Sequence, residues 1–183
     1  PVYMVQHWYS YLSKFDSERE FTISFDHNNQ KVPWFASSWK DKYVEMTVMD
    51  RALNSIIFLY DLLFKSLDNL NIQSSNILVI SFESFVMNTE DELQKLQDFL
   101  GRSHSYKIKK ILKQQKVPRK KLSQGKGHSS YGWIKSEASS EKVEYNNQLE
   151  FIHKKASEDA LQEFDILIKK YNKKWPSILN QYH

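Results

Sequence analysis

The sequence predicts an α/β domain, mostly helical, with one or two parallel strands. Three features predict it. Residues 77–81 (ILVIS) form a continuous apolar, largely β-branched run, the composition of a short strand buried on both faces. Thr89-Glu90-Asp91-Glu92 follows as a capping box, in which the Thr89 hydroxyl accepts from an unpaired helix N–H and Glu92 reaches back. The helix so opened places Leu93, Leu96, Phe99 and Leu100 inward, and Gly101 ends it, because glycine takes the left-handed cap conformation without penalty. Strand, loop, capped helix and glycine stop make half of a βαβ unit.

The remaining elements follow along the chain. Tyr3, Met4, His7, Trp8 and Tyr11 recur at helical spacing, which predicts a helix over 2–15. Residues 16–42 read as irregular, with a turn at Asp26-His27-Asn28-Asn29 and Pro33 as a breaker. From Val44 to about Leu70, Met49, Leu53, Ile56, Ile57, Tyr60, Leu63, Phe64 and Leu67 mark one long amphipathic helix. A basic segment after Gly101 reads as helical to about Lys116 and is halted by Pro118; residues 123–132 read as loop. A last helix runs from about Ser157 to Tyr171, closed by Trp175-Pro176. No internal repeat and no second domain are visible, so residues 1–183 are read as one domain.

Composition narrows the function classes. Forty per cent apolar and 26% charged residues suit a globular chain, and no apolar run approaches the roughly 20 residues a membrane span needs. There are no cysteines, which removes disulfide and thiolate chemistry and leans toward a reducing, cytoplasmic setting. The six histidines show no HExxH or other close ligand pair, so no metal is expected, and no GxSxG elbow appears.

Charge and glycine point to one region. Residues 107–126 carry nine lysines and arginines and no acid, whereas the whole chain is only +4. Three of the four glycines, Gly125, Gly127 and Gly132, fall close together after this run. Gly125-Lys126-Gly127 sets a cation between two permissive backbones, which lets N–H groups approach an anion closely. The same stretch reads equally as an exposed surface loop, and its spacing is not that of a Walker loop. Glu83 directly follows the 77–81 run, where α/β folds place functional side chains, though capping or pairing with a cation would also account for it.

Several of these segments together resemble the sulfotransferase family. Residues 77–101, ILVISFESFVMNTEDELQKLQDFLG, resemble its stretch of hydrophobic strand, Tyr-Glu-Asp-Leu and a helix ending in Phe-Leu-Gly; here it reads Phe82-Glu83-Ser84-Phe85 and Phe99-Leu100-Gly101. Residues 1–12, PVYMVQHWYSYL, look like the segment after the arginine of the family's Arg-x-Pro motif. Residues 125–133, GKGHSSYGW, resemble its late Arg-Lys-Gly loop followed by Gly-Asp-Trp. The three occur in the family's order and spacing and cover about a quarter of the chain.

The resemblance implies a P-loop-like three-layer fold. It also implies transfer of a sulfuryl group from 3′-phosphoadenylyl sulfate to a hydroxyl or amine of a small-molecule or carbohydrate acceptor, without a metal. It places Gly125, Lys126 and Gly127 on the donor's 3′-phosphate, His7 where the family has a phosphate-binding serine, and Phe82 where a tyrosine lies near adenine. Gly125 stands in place of an arginine, a bidentate phosphate partner; Arg119 and Lys120 are the nearest cations that could stand in. The Arg-x-Pro arginine, the 5′-phosphosulfate loop with its lysine, and the histidine base are expected upstream of Pro1. A polypeptide starting there is expected to lack catalysis by itself, because those parts stabilise charge on the transferring group. Trp34, Phe35 and Trp39 are candidates for acceptor contacts, by stacking on a sugar or phenol, and core packing explains them equally. Two alternatives remain: a basic nucleic-acid-binding module, which the scarcity of interleaved aromatics and the absence of a known motif disfavour, and a non-catalytic helical interaction domain. The oligomeric state is left open.

Overall fold

The computed structural model describes residues 1–15, 23–70, 76–103, 105–122 and 140–176. Its scaffold is a packing of helices. Helix α1 (Val2–Phe15) lies on α3 (Val48–Asn69) and on α7 (Glu141–His153), and α3 packs in turn on α8 (Glu158–Lys174). Each of the two longest helices presents one apolar stripe at helical spacing: Met49, Leu53, Ile56 and Phe64 on α3, and Ala160, Phe164, Leu167, Ile168 and Tyr171 on α8. With Val2 and Val5 of α1 and Tyr145 and Ile152 of α7, these form the main core.

Caps set the ends. Thr47 Oγ1 accepts from Asp50 N–H (3.2 Å), so the apolar pattern expected as one helix from Val44 divides into α2 (Lys40–Glu45) and α3. Ser157 caps α8, and its own N–H donates to Asp50 Oδ1 (2.9 Å), which ties the start of α8 to the first turn of α3. A hairpin of β1 (Ser24–His27) and β2 (Gln30–Pro33) occupies the stretch expected to be irregular. Asn28 and Asn29 both take positive φ (50° and 60°), as a two-residue turn between twisted antiparallel strands requires. The hairpin and the 3-10 turn Trp34–Trp39 enclose a second apolar cluster built on Val32, Phe35, Ala36 and Tyr43. Arg51 stitches this unit to α3, its guanidinium donating to Gln30 Oε1, Tyr43 O and Val44 O at 2.7–2.8 Å.

The expected P-loop-like three-layer α/β fold is not present. The sheet of the described residues is the antiparallel hairpin alone, with no parallel pair. Residues 77–81 form neither strand nor helix; Val79 is 41% exposed, and none of residues 77–81 is buried. A β-branched run expresses a propensity, and a strand in a sheet interior also needs ladder partners on both sides, which the fold does not supply. Instead Ser81 Oγ accepts from Ser84 N–H (3.1 Å) and starts α4 (Phe82–Met87), so Glu83 sits in a helical first turn rather than at a strand end.

The capping box is also replaced. Because α4 runs through Asn88 into α5 (Thr89–Leu100), Thr89 Oγ1 donates back to Phe85 O (2.8 Å), while Glu92 accepts from Ser84 Oγ (2.5 Å) and Lys95 Nζ (2.7 Å). Gly101 does end α5 as expected: at φ 62° its N–H donates to Asp98 O, and the Arg102 N–H donates to Gln97 O (3.2 Å), the two bonds of a Schellman cap. An added Cβ there meets nothing within 4 Å. Gly101→Ala is therefore expected to cost roughly 1 kcal/mol, all of it from the left-handed backbone, read as a lowered urea midpoint. The basic segment forms α6 (Ile108–Gln114), in which no residue is buried. No helix of the described residues is long and apolar enough to cross a membrane.

Candidate functional site

Three segments far apart in sequence close around one cavity of about 410 Å³. Pro1, with Tyr3 and Met4 of the first turn of α1, comes from one, Val79 to Glu83 from the 77–81 run and the start of α4, and Leu122 from the basic segment. Tyr60 and Leu63 of α3, Tyr171 of α8 and Trp175 complete the lining. The rings are held by one another: Tyr171 meets Tyr60 edge-on at 5.5 Å and Trp175 at 5.0 Å, and Trp175 stacks on Phe64 at 5.4 Å.

Phe82 presents its ring here and remains 60% exposed. The Arg119 guanidinium lies 5.4 Å from the ring centroid, in cation–π contact. Arg119 is fixed there by its backbone N–H to Val86 O (2.7 Å) and by Nη1 to Leu122 O (2.8 Å), while burial lowers its pKa. A cation thus stands beside an aromatic cavity, with Lys120 and Lys121 next in the chain.

Glu83 is the acidic member of the lining. Its Oε2 accepts from Tyr171 Oη (2.9 Å). Burial, and then the Glu83 charge, push the Tyr60 hydroxyl up to about 12 and Tyr171 higher still, so both stay neutral phenols. Tyr60 Oη donates to Met4 Sδ (3.4 Å). The Pro1 amine faces Glu83 too; burial lowers its pKa, against the carboxylate's pull. Behind the cavity wall, Glu141 accepts from Tyr3 Oη and from Leu122 N–H (2.8 Å), which pins the end of the basic segment to α1 and α7.

The structure brings together only part of the expected site. Phe82 lines the cavity. His7 lies one turn beyond Tyr3 on α1, half-buried and outside the lining, and burial lowers its pKa. Gly125, Lys126 and Gly127 lie outside the described residues. Phe35, buried, and Trp39 belong to the second apolar cluster, with ring centroids 6.0–6.2 Å from those of Trp8 or Phe58; Trp34 is exposed and meets Phe35 edge-on at 6.0 Å, and none of the three lines the cavity. Tyr60, Tyr171 and Trp175 were not expected in a site. Among the described residues no group of three or more His, Asp or Glu side chains could hold a metal ion.

The lining rings offer stacking surface for a flat group, and the guanidinium over Phe82 sets a positive charge next to one of them. Comparison with protein-family models, with curated proteins and with solved structures finds no match to this chain.

Proposed function

We propose that the chain binds an adenine nucleotide carrying phosphates, adenosine 3′,5′-bisphosphate or 3′-phosphoadenylyl sulfate, and serves sulfuryl transfer to a hydroxyl or amine acceptor. One observation carries the reading. Two of the three segments that resemble the family's donor site, 1–12 and 77–101, meet at one cavity, together with Leu122 of the basic run leading to the third, and Phe82 lines it beneath Arg119. The three-layer sheet is no part of this reading. On it the base lies among Phe82, Tyr171 and Trp175, and the phosphates meet Arg119.

The test is calorimetric titration with adenosine 3′,5′-bisphosphate. Arg119→Ala is expected to weaken binding by about tenfold or more, the loss of a charged hydrogen-bonding partner. Affinity for adenosine, which has no phosphate, should then change by no more than about twofold if phosphate is what Arg119 meets. Lack of binding of the bisphosphate, alongside salt-sensitive binding of oligonucleotides, would instead mark the basic segment as a nucleic-acid surface.

A further inference from the structure

Glu83 is the one acidic side chain in the lining of the aromatic cavity among the described residues. The rest of the lining is mostly rings and aliphatic side chains, and Glu83 is half-buried. One oxygen is oriented by Tyr171 Oη at 2.9 Å, a bond that runs from α8 to the first turn of α4 and fixes the carboxylate in place. No lysine, arginine or histidine of the described residues lies within ion-pair distance of it. Tyr60, the other phenol near this charge, gives its proton to Met4 Sδ instead.

An ionised carboxylate only accepts, with about four lone-pair sites on two oxygens, of which Tyr171 takes one. The Pro1 amine faces it as well, and the remaining lone pairs can accept an N–H or O–H from a molecule in the cavity. Resting on the nucleotide reading above, we infer that Glu83 accepts from the exocyclic 6-amino group of the base and so selects adenine. A base with a carbonyl at that position would set two acceptors face to face. Of the other polar side chains in the lining, Ser81 caps α4, Tyr3 donates to Glu141 and Tyr60 to Met4 Sδ.

The experiment compares adenosine 3′,5′-bisphosphate with inosine 3′,5′-bisphosphate, which keeps both phosphates and the flat base but exchanges the amino group for a carbonyl. The expected result is binding of the inosine compound at least about tenfold weaker by the unmodified chain. In Glu83→Gln the gap should shrink to about twofold, because an amide can accept from one base and donate to the other while still accepting from Tyr171. Measurable and equal binding of both compounds overturns the role of Glu83 and leaves the nucleotide reading standing. A gap that persists in Glu83→Gln also overturns it, placing base recognition elsewhere. Binding of neither compound removes the nucleotide reading and this inference with it. The wild-type comparison needs no variant, and the unfolding midpoint of Glu83→Gln separates a folding defect from lost recognition.

Discussion

Phe164→Ala is expected to lower the stability of the fold by roughly 3–5 kcal/mol, the range for emptying a large aromatic site in a packed core. Phe164 is 1% exposed and belongs to the cluster that joins α1, α3, α7 and α8. Its neighbours on the α8 stripe are Ala160, Leu167 and Ile168, each held by helix geometry, so the vacated volume can collapse only in part. Two residues along, Ile166 is 65% exposed, and Ile166→Ala should change stability by no more than about 0.5 kcal/mol. Urea unfolding checks both: the Phe164→Ala midpoint falls with little change in slope, while the Ile166→Ala midpoint stays put. A Phe164→Ala loss under about 1 kcal/mol would mean that α8 does not form the core as described.

The second large effect is a dependence on pH. Glu141 is buried where α1, α7 and Leu122 meet. Burial raises its pKa above the ordinary 4.5, and the neighbouring Glu144 adds to the rise; hydrogen bonds from Tyr3 and Leu122 and the charge of Lys121 pull the other way. The folded value thus lies above the unfolded one, so the favourable contribution is complete below the unfolded value and is lost as pH rises through the folded one. Glu141→Gln keeps an acceptor for the Leu122 N–H and carries no charge. Its stability relative to wild type should therefore climb as pH increases from about 4 toward neutrality, and level off once Glu141 is ionised in both states. Glu141→Leu removes the acceptors and strands the Leu122 N–H, at a cost relative to Glu141→Gln of about 1–3 kcal/mol at any pH. A stability difference between wild type and Glu141→Gln that is flat across this range would contradict the raised pKa.

Helices α1, α3 and α8 were legible because their buried positions are apolar at three- and four-residue spacing, and Gly101 because only its left-handed backbone lets two amides reach back into α5. Helix α7 has no such stripe: two of its four buried positions are Glu141 and Glu144, so the side that faces the core reads as polar. The hairpin was hidden because its strands are four residues long and its turn is Asn-Asn rather than a glycine turn. The strand expected at 77–81 shows the reverse case, a local preference without the distant partner it needs.

The same division runs through the site. Phe82 was picked out by a motif resemblance, whereas Tyr60, Tyr171 and Trp175 sit in or at the end of helices whose apolar positions read as ordinary core. The bond between Glu83 and Tyr171 spans 88 positions of sequence, a contact that no local pattern encodes. Arg119 was named with Lys120 only as a cation that could stand in for an absent arginine; its guanidinium over the Phe82 ring is a contact across 37 positions that no local pattern encodes.

A crystal structure of the chain grown with adenosine 3′,5′-bisphosphate tests the account most directly. The base is expected inside the cavity between Phe82 and Tyr171, its amino group on Glu83, and a phosphate beside Arg119. A base bound outside that lining, or a cavity that stays filled by the protein's own side chains while the nucleotide sits elsewhere, would contradict it.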